Sequence, residues 1–281
     1  MRLLTTRDDL HDHRRSLPDS EVAAVLTMGA LHEGHLALAA EARRLVGPRG
    51  TVVVTVFVNP LQFGAGEDLS HYPRTLDADV AAAEQAGVDV VFAPSAEEIY
   101  PDGPPTITID PGELGTILEG AVRPTHFRGV LTIVAKLLNL VVPSVTVFGE
   151  KDYQQLVLVR RMCRELELGV EVVGLPTVRE PDGLAMSSRN AYLSAQQRRQ
   201  AGVLSLALRA GQDAAQDGVG RALAAAGAAL AEEPGARVDY LVATDPDLGA
   251  PPEQGTARLL VAAAVGGTRL LDNVPLTVGP S

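Results

Sequence analysis

Two histidines, His32 and His35, stand three positions apart in the stretch Thr27-Met-Gly-Ala-Leu-His-Glu-Gly-His-Leu36, with Gly29 and Gly34 bracketing the first. Far along the chain, Lys151 adds an ammonium at a second strand-to-helix junction. All of these groups donate hydrogen bonds suited to phosphate oxygens, so the chemistry they suggest is the binding of a nucleotide phosphate and relief of its charge. A zinc protease would space its histidines as His-Glu-x-x-His. Here the order is His-Glu-Gly-His with no obvious third ligand, which discounts a metal site. Taken alone, a glycine turn with solvent-facing histidines is the better explanation of the stretch; the remaining segments weigh against it.

The elements that would position these residues alternate. An apolar run at residues 22–26 has the length of a buried strand, and Leu36, Leu38, Ala39, Ala42, Leu45 and Val46 follow with helical spacing. A strand that turns at once into a helix brings the helix N-terminus, with its unpaired N–H groups, to the sheet edge where anions bind. If the helix begins near Glu33, both imidazoles project from its first turn, and a neutral ring still offers one N–H. A second junction repeats the pattern: a strand at 145–148, then Gly149-Glu-Lys-Asp-Tyr-Gln-Gln155, then a helix through Leu166.

Between them, residues 51–58 are nearly all β-branched and stop at Asn59-Pro60, leaving Asn59 and Gln62 just beyond the carboxyl end of a central strand. A helix is expected at 76–86, with Thr75 as N-cap and Asp77 and Asp79 in its first turn; magnesium near a nucleotide is the alternative use of an Asp. Strands are expected at 88–92, 106–109 and 170–173. Residues 120–129, with Arg123, His126 and Arg128, read as a mobile anion-facing loop or as the polar start of a helix at 130–141. Such βα repetition predicts a Rossmann-like doubly wound parallel sheet. After Pro176 the pattern changes to a turn at 179–183, a loop at 186–190, Ala-rich helices at 196–214 and 219–232, and strands at 238–243, 258–265 and 268–272. Gly266-Gly267 joins the last two as a hairpin. This predicts a smaller α+β domain, with residues 1–177 and 178–281 as the two domains.

A net charge of -11 argues against a general nucleic-acid surface, so a polyanionic ligand must meet a local basic cluster. Only Lys136 and Lys151 of the 24 basic residues are lysines, which hints that a compact ammonium is wanted at 151; Lys136 reads as a solvated helix residue. No basic-then-apolar leader or membrane-length apolar run is present, so a cytoplasmic location is the default expectation. The single Cys163 allows no internal disulfide and reads as a helix-packing thiol.

The stretches at 27–36, Phe57-Val-Asn-Pro-Leu-Gln-Phe63, Tyr72-Pro-Arg-Thr75, Arg123-Pro-Thr-His-Phe-Arg-Gly129, Phe148-Gly-Glu-Lys-Asp-Tyr-Gln-Gln155 and Arg179-Glu-Pro-Asp-Gly-Leu-Ala-Met-Ser-Ser-Arg-Asn190 together resemble the pantoate-beta-alanine ligase (pantothenate synthetase) family, in the family's order. The resemblance implies a nucleotidyltransferase with a His-x-Gly-His signature that joins pantoate to beta-alanine through pantoyl adenylate, consuming ATP and releasing pyrophosphate and AMP. It implies catalytic roles for His32, His35, Lys151, Ser187, Ser188 and Arg189. It assigns ATP contacts to Thr27, Met28, Gly29, Gly149, Asp152, Val178 and Met186 as well, and pantoate contacts to Met28, Asn59, Gln62, Arg123 and Gln155. It also implies Mg2+ with the ATP, a homodimer, and a second domain that serves as a lid. Two residues depart from the family pattern: Leu26 where a proline is usual, and Ala78 within the acidic cluster, which leaves the magnesium ligands unassigned. The competing readings are another nucleotidyltransferase with the same signature, or a catalytically silent nucleotide binder.

Overall fold

The β-branched run forms the inner part of a six-stranded parallel sheet. The computed structural model describes residues 1–17, 21–64, 69 and 72–279; Pro280 and Ser281, the end of the expected second domain, lie outside them. In chain order the first elements are β1 (Arg2–Leu4), α1 (Arg7–Arg15), β2 (Val22–Thr27), α2 (Glu33–Val46), β3 (Thr51–Val56), α3 (Leu76–Gln85), β4 (Val90–Phe92) and α4 (Ala96–Ile99). There follow α5 (Glu119–Val122), α6 (His126–Val141), β5 (Val145–Gly149), α7 (Tyr153–Glu165) and β6 (Glu171–Leu175). The sheet order is β1-β4-β3-β2-β5-β6, every pairing parallel. Successive strands step one way from β2 through β3 to β4 and the other way from β5 to β6, so the order reverses between β2 and β5, where ligand crevices form in such sheets.

Strand side chains alternate between faces. Ala23, Val25, Val52, Val54, Val145 and Val147 pack with Ala39, Ala42 and Val46 of α2 and Ala83 of α3. The intervening Ala24 and Val53 are equally buried, and α6 packs against β2 and α1. Burial on both faces is why these strands read as unbroken apolar runs.

The expected strand at 106–109 is absent. Ile107 is 86% exposed, and the Ile109 N–H bonds the Thr132 hydroxyl (3.0 Å) in place of a neighbouring strand. Helix α6 begins at His126, ahead of the expected 130, so Arg128 lies in its first turn and the segment before Gly129 is a polar helix start rather than a loop.

The chain divides into two compact units: Met1–Gly149 with Gln154–Leu175, and Glu150–Tyr153 with the chain from Pro176 onward. The second contains α8 (Ala195–Asp213), α9 (Val219–Ala231) and the antiparallel sheet β7 (Ala236–Thr244), β8 (Gly255–Val265), β9 (Thr268–Val278). Its core joins Leu204 and Leu208 of α8, Ala222 and Ala226 of α9, and Leu259, Val261, Leu270, Val274, Leu276 and Val278 of the sheet. Strand β9 runs on to Val278, past the expected end at 272. The polar pair Asp272-Asn273 interrupts its apolar pattern, and its edge position tolerates Pro275.

Candidate active site

The turn from β2 into α2 is built from backbone that most residues avoid. Gly29 and Ala30 have φ of 84° and 51°. The Thr27 hydroxyl donates to the Thr55 carbonyl (2.7 Å) and accepts from the Gly29 N–H (3.1 Å). Asp79 of α3, only 2% exposed, accepts from the N–H groups of Ala30 (3.1 Å) and Leu31 (2.7 Å). Thr75 stands at the N-cap position of α3, but its hydroxyl reaches the Asp79 carboxylate (3.3 Å) instead of a backbone N–H. Asp79 is therefore more than a helix-start charge: it clamps the turn that delivers α2. Leu26 lies within β2 in register with Thr55, so the strand ladder runs unbroken to Thr27.

Helix α2 starts at Glu33, with His32 as its N-cap residue. The His32 N–H donates to His35 Nδ1 (3.3 Å), which makes that nitrogen an acceptor and leaves Nε2 as the N–H of a neutral ring. The two ring centroids are 4.0 Å apart, so both imidazoles share one side of the helix start.

Beyond β3, the 3-10 turn Pro60–Gln62 places Asn59 (1% exposed) and Gln62 (9%) in a chain of hydrogen bonds. The Tyr100 hydroxyl donates to Asn59 Oδ1 (2.9 Å), Asn59 Nδ2 donates to the Gly129 carbonyl (3.1 Å) and Gln62 Oε1 (3.3 Å), and Gln62 Nε2 points at Met28 Sδ (2.9 Å). Burial pushes the Tyr100 phenol above its ordinary range, so it remains a donor. Arg123 Nη2 bonds the Gln62 carbonyl (3.2 Å), and His126 Nδ1 lies 3.0 Å from the same oxygen. Lys136, expected to be solvated, instead donates to the Ile99 carbonyl and lies over the Tyr100 ring (5.2 Å), and burial lowers its pKa.

Gly149 ends β5, and Gln155 is half-buried in the first turn of α7. Its neighbour Gln154 is committed to the fold: it accepts from the Glu119 N–H and donates to the carbonyls of Leu114 and Ile117. Cys163, farther along α7, is a buried free thiol whose pKa burial raises, in keeping with a packing role.

In the second unit, Lys151 lies in the 3-10 turn Glu150–Asp152, its Nζ 3.6 Å from the exposed Asp152 carboxylate. The turn at 179–183 closes a hairpin in which Arg179 pairs with Ala185 and the Met186 N–H donates to the Val178 carbonyl (3.0 Å). Gly183 takes φ of 89° there. Ser187 then caps the 3-10 turn Ser188–Tyr192, its hydroxyl accepting from the Arg189 N–H (3.3 Å). Lys151, Ser187, Arg189, Arg269 and Asp272 line one pocket. The first unit thus gathers Thr27, Met28, Gly29, His32 and His35 beside Asn59, Gln62 and Arg123. The second gathers Lys151 with the 187–189 segment.

Sequence reasoning passed over Asp79 as a clamp, and over Arg258, Asp272 and Asn273, all nine-tenths or more buried. A polar pair inside an otherwise apolar strand was the available signal, since burying such groups is unfavourable without partners. A magnesium cage does not fit the residues present. Asp79 is buried and engaged by backbone and hydroxyl donors, and among the described residues no group of three His, Cys, Asp or Glu could hold a metal.

Residues 2–275 match the family model for pantoate-beta-alanine ligase. The pantothenate synthetase of Nocardioides sp. (strain JS614) is 60% identical over 266 residues, covering 92% of this chain and 80% of that protein. The crystal structure of pantothenate synthetase from Thermus thermophilus superposes with a TM-score of 0.91 at 50% identity, covering 100% of both chains. That of the Francisella tularensis pantoate-beta-alanine ligase, complexed with beta-gamma ATP and beta-alanine, gives 0.81 at 34% identity, covering 98% of this chain and 97% of that one.

Proposed function

Because the chain belongs to the pantoate-beta-alanine ligase family, we propose that it condenses pantoate with beta-alanine, cleaving ATP to AMP and pyrophosphate by way of pantoyl adenylate. A pantoate carboxylate oxygen attacks the α-phosphorus of ATP; the new P–O bond forms as the bond to the bridging oxygen of pyrophosphate breaks. The amine of beta-alanine then adds to the acyl carbon and loses a proton, and AMP departs with the electron pair of the acyl C–O bond.

Neither step needs a side-chain nucleophile, so alignment and charge relief do the catalytic work. His32 and His35 supply N–H donors at the α2 N-terminus, Lys151 and Arg189 offset the phosphate charge, and Ser187 and Ser188 donate hydrogen bonds to the phosphate oxygens. Thr27, Met28, Gly29, Gly149, Asp152, Val178 and Met186 surround the remainder of the nucleotide. Gln62 and Gln155, assisted by Asn59 and Arg123, hold pantoate. Gln62 suits this role because its Nε2 faces a thioether, a weak acceptor that a substrate oxygen outcompetes. Mg2+ accompanying the ATP would screen its triphosphate charge; no protein group is assigned to hold it. A homodimer in the cytoplasm, with the second unit serving as a lid, belongs to the same reading.

The observation that carries the proposal is the imidazole pair at the start of α2, at the sheet's reversal point, in a chain of this family. A transferase that passes its nucleotide to a phosphorylated substrate would need several cations around that substrate, whereas the glutamines at 62 and 155 suit a neutral or singly charged one. The test is pantoate-dependent exchange of labelled pyrophosphate into ATP. The wild type exchanges only with pantoate present and forms AMP in sustained turnover only when beta-alanine is added; His35→Ala folds normally and loses about 100-fold or more of the exchange. ADP as product overturns the adenylate route, and full exchange by His35→Ala removes His35 from the mechanism.

A further inference from the structure

Lys151 follows β5 of the first sheet in sequence, yet Glu150–Tyr153 belongs to the second unit. The contacts responsible are specific. Asn273 of β9, 3% exposed, donates from one amide nitrogen to the carbonyls of Glu150 (2.8 Å) and Lys151 (2.9 Å). Its Oδ1 accepts from Arg258 Nε (2.7 Å), and Arg258 Nη2 donates to the Glu150 carboxylate (2.6 Å). The Arg258 guanidinium, 6% exposed as a residue, lies 4.0 Å over the Tyr153 ring, whose hydroxyl donates to the Pro246 carbonyl (2.9 Å). One side chain therefore fixes the main chain that carries Lys151, and a buried arginine fixes that side chain.

The adjacent residue of β9 holds the other phosphate-facing segment. Asp272, 3% exposed, takes both Arg179 nitrogens (2.6 and 3.0 Å), and Arg179 also bonds the Gly183 carbonyl (3.1 Å) inside the hairpin that leads to Ser187. The Asn273 N–H donates to Asp272 Oδ1 (2.7 Å), which ties the two anchors together.

We propose that Asn273 and Arg258 are positioning residues for Lys151, and that the Asp272-Asn273 pair of β9 sets the spacing between the Lys151 ammonium and the 187–189 segment. This rests on the adenylate reading above. The requirement at 273 is for an amide: it gives two N–H bonds to carbonyls while accepting from a guanidinium, a combination that neither a carboxylate nor an apolar group supplies. At 258 it is for a planar fork that bonds in two directions and stacks on a ring, which lysine cannot reproduce.

The test is a double-mutant cycle on pantoate-dependent exchange, with Lys151→Ala, Asn273→Ala and the pair, and with Arg258→Lys as the second probe should Asn273→Ala fail to fold. Asn273→Ala lowers the exchange kcat on the order of 10- to 100-fold, as a misplaced catalytic group does, and leaves the KM for pantoate within about twofold. In the Lys151→Ala background the same change costs less than about threefold more, and Arg258→Lys follows the same pattern. Losses that multiply in the double variant, or a fully active Asn273→Ala, overturn the inference while the adenylate mechanism stands. Full exchange by Lys151→Ala also overturns the inference, because nothing is then left to position, and removes Lys151 from the mechanism; an inert wild type removes the adenylate reading itself.

Discussion

Two βα junctions of the same parallel sheet carry cationic or donor residues, and they are secured in opposite ways. After β2, the turn into α2 exposes backbone N–H groups, and the anchor is an acceptor, the Asp79 carboxylate from α3 of the same unit. After β5, the 3-10 turn exposes carbonyls, and the anchor is a donor, the Asn273 amide from β9 of the second unit. The polarity of the orphaned backbone groups selects the chemistry of the anchor, because buried N–H and C=O groups must be paired. The difference also assigns the two junctions to separate bodies: the imidazole pair is built into the parallel sheet's unit, and Lys151 into the antiparallel one.

The largest expected effect comes from removing the acceptor. Asp79→Ala orphans the Ala30 and Leu31 N–H groups and destabilises the protein by about 2–4 kcal/mol, measurable by urea unfolding, with exchange falling as the α2 start loses its geometry. A loss of stability without any loss of exchange in the folded fraction would reduce Asp79 to a structural residue and break the parallel with Asn273. Gly29→Ala tests the same turn from the other side. Its added Cβ would lie 2.9 Å from Asp79 Oδ2 and 3.0 Å from Val56 Cγ1, at a φ that disfavours alanine. A cost of about 1–2 kcal/mol is expected from the backbone alone, and an unchanged melting temperature would show that the turn is not rigidly clamped. The smallest effect belongs to Tyr100→Phe. Asn59 Oδ1 retains its bond from the Leu61 N–H (3.3 Å), so about 1 kcal/mol is at stake, read as a several-fold rise in the KM for pantoate with little change in the KM for ATP. The reverse pattern would detach the Asn59 and Gln62 chain from pantoate.

Much of the first unit was legible because its signals are local. The β-branched run of β3 and the helical spacing after Gly34 reflect propensity and burial that each segment carries by itself. The junctions showed their donor residues for the same reason. The misreadings arose where partners are distant. The segment at 106–109 has β-branched residues, but its Ile109 N–H goes to the Thr132 hydroxyl of α6, and Lys136 reads as solvated until the Ile99 carbonyl and the Tyr100 ring are placed beside it. Strand β9 was cut short at its two most informative residues, since an Asp-Asn pair resembles the end of a strand when Arg179 and Arg258 are not in view.

The sequence by itself determined most of the order of elements, the two architectures and which donor side chains stand at each junction, because periodicity, turn chemistry and side-chain type are properties of contiguous residues. Only the tertiary structure decided which body carries Lys151 and what holds each junction in place. Those outcomes rest on hydrogen bonds between residues 48 to 123 positions apart, and no local pattern encodes a partner at such a distance.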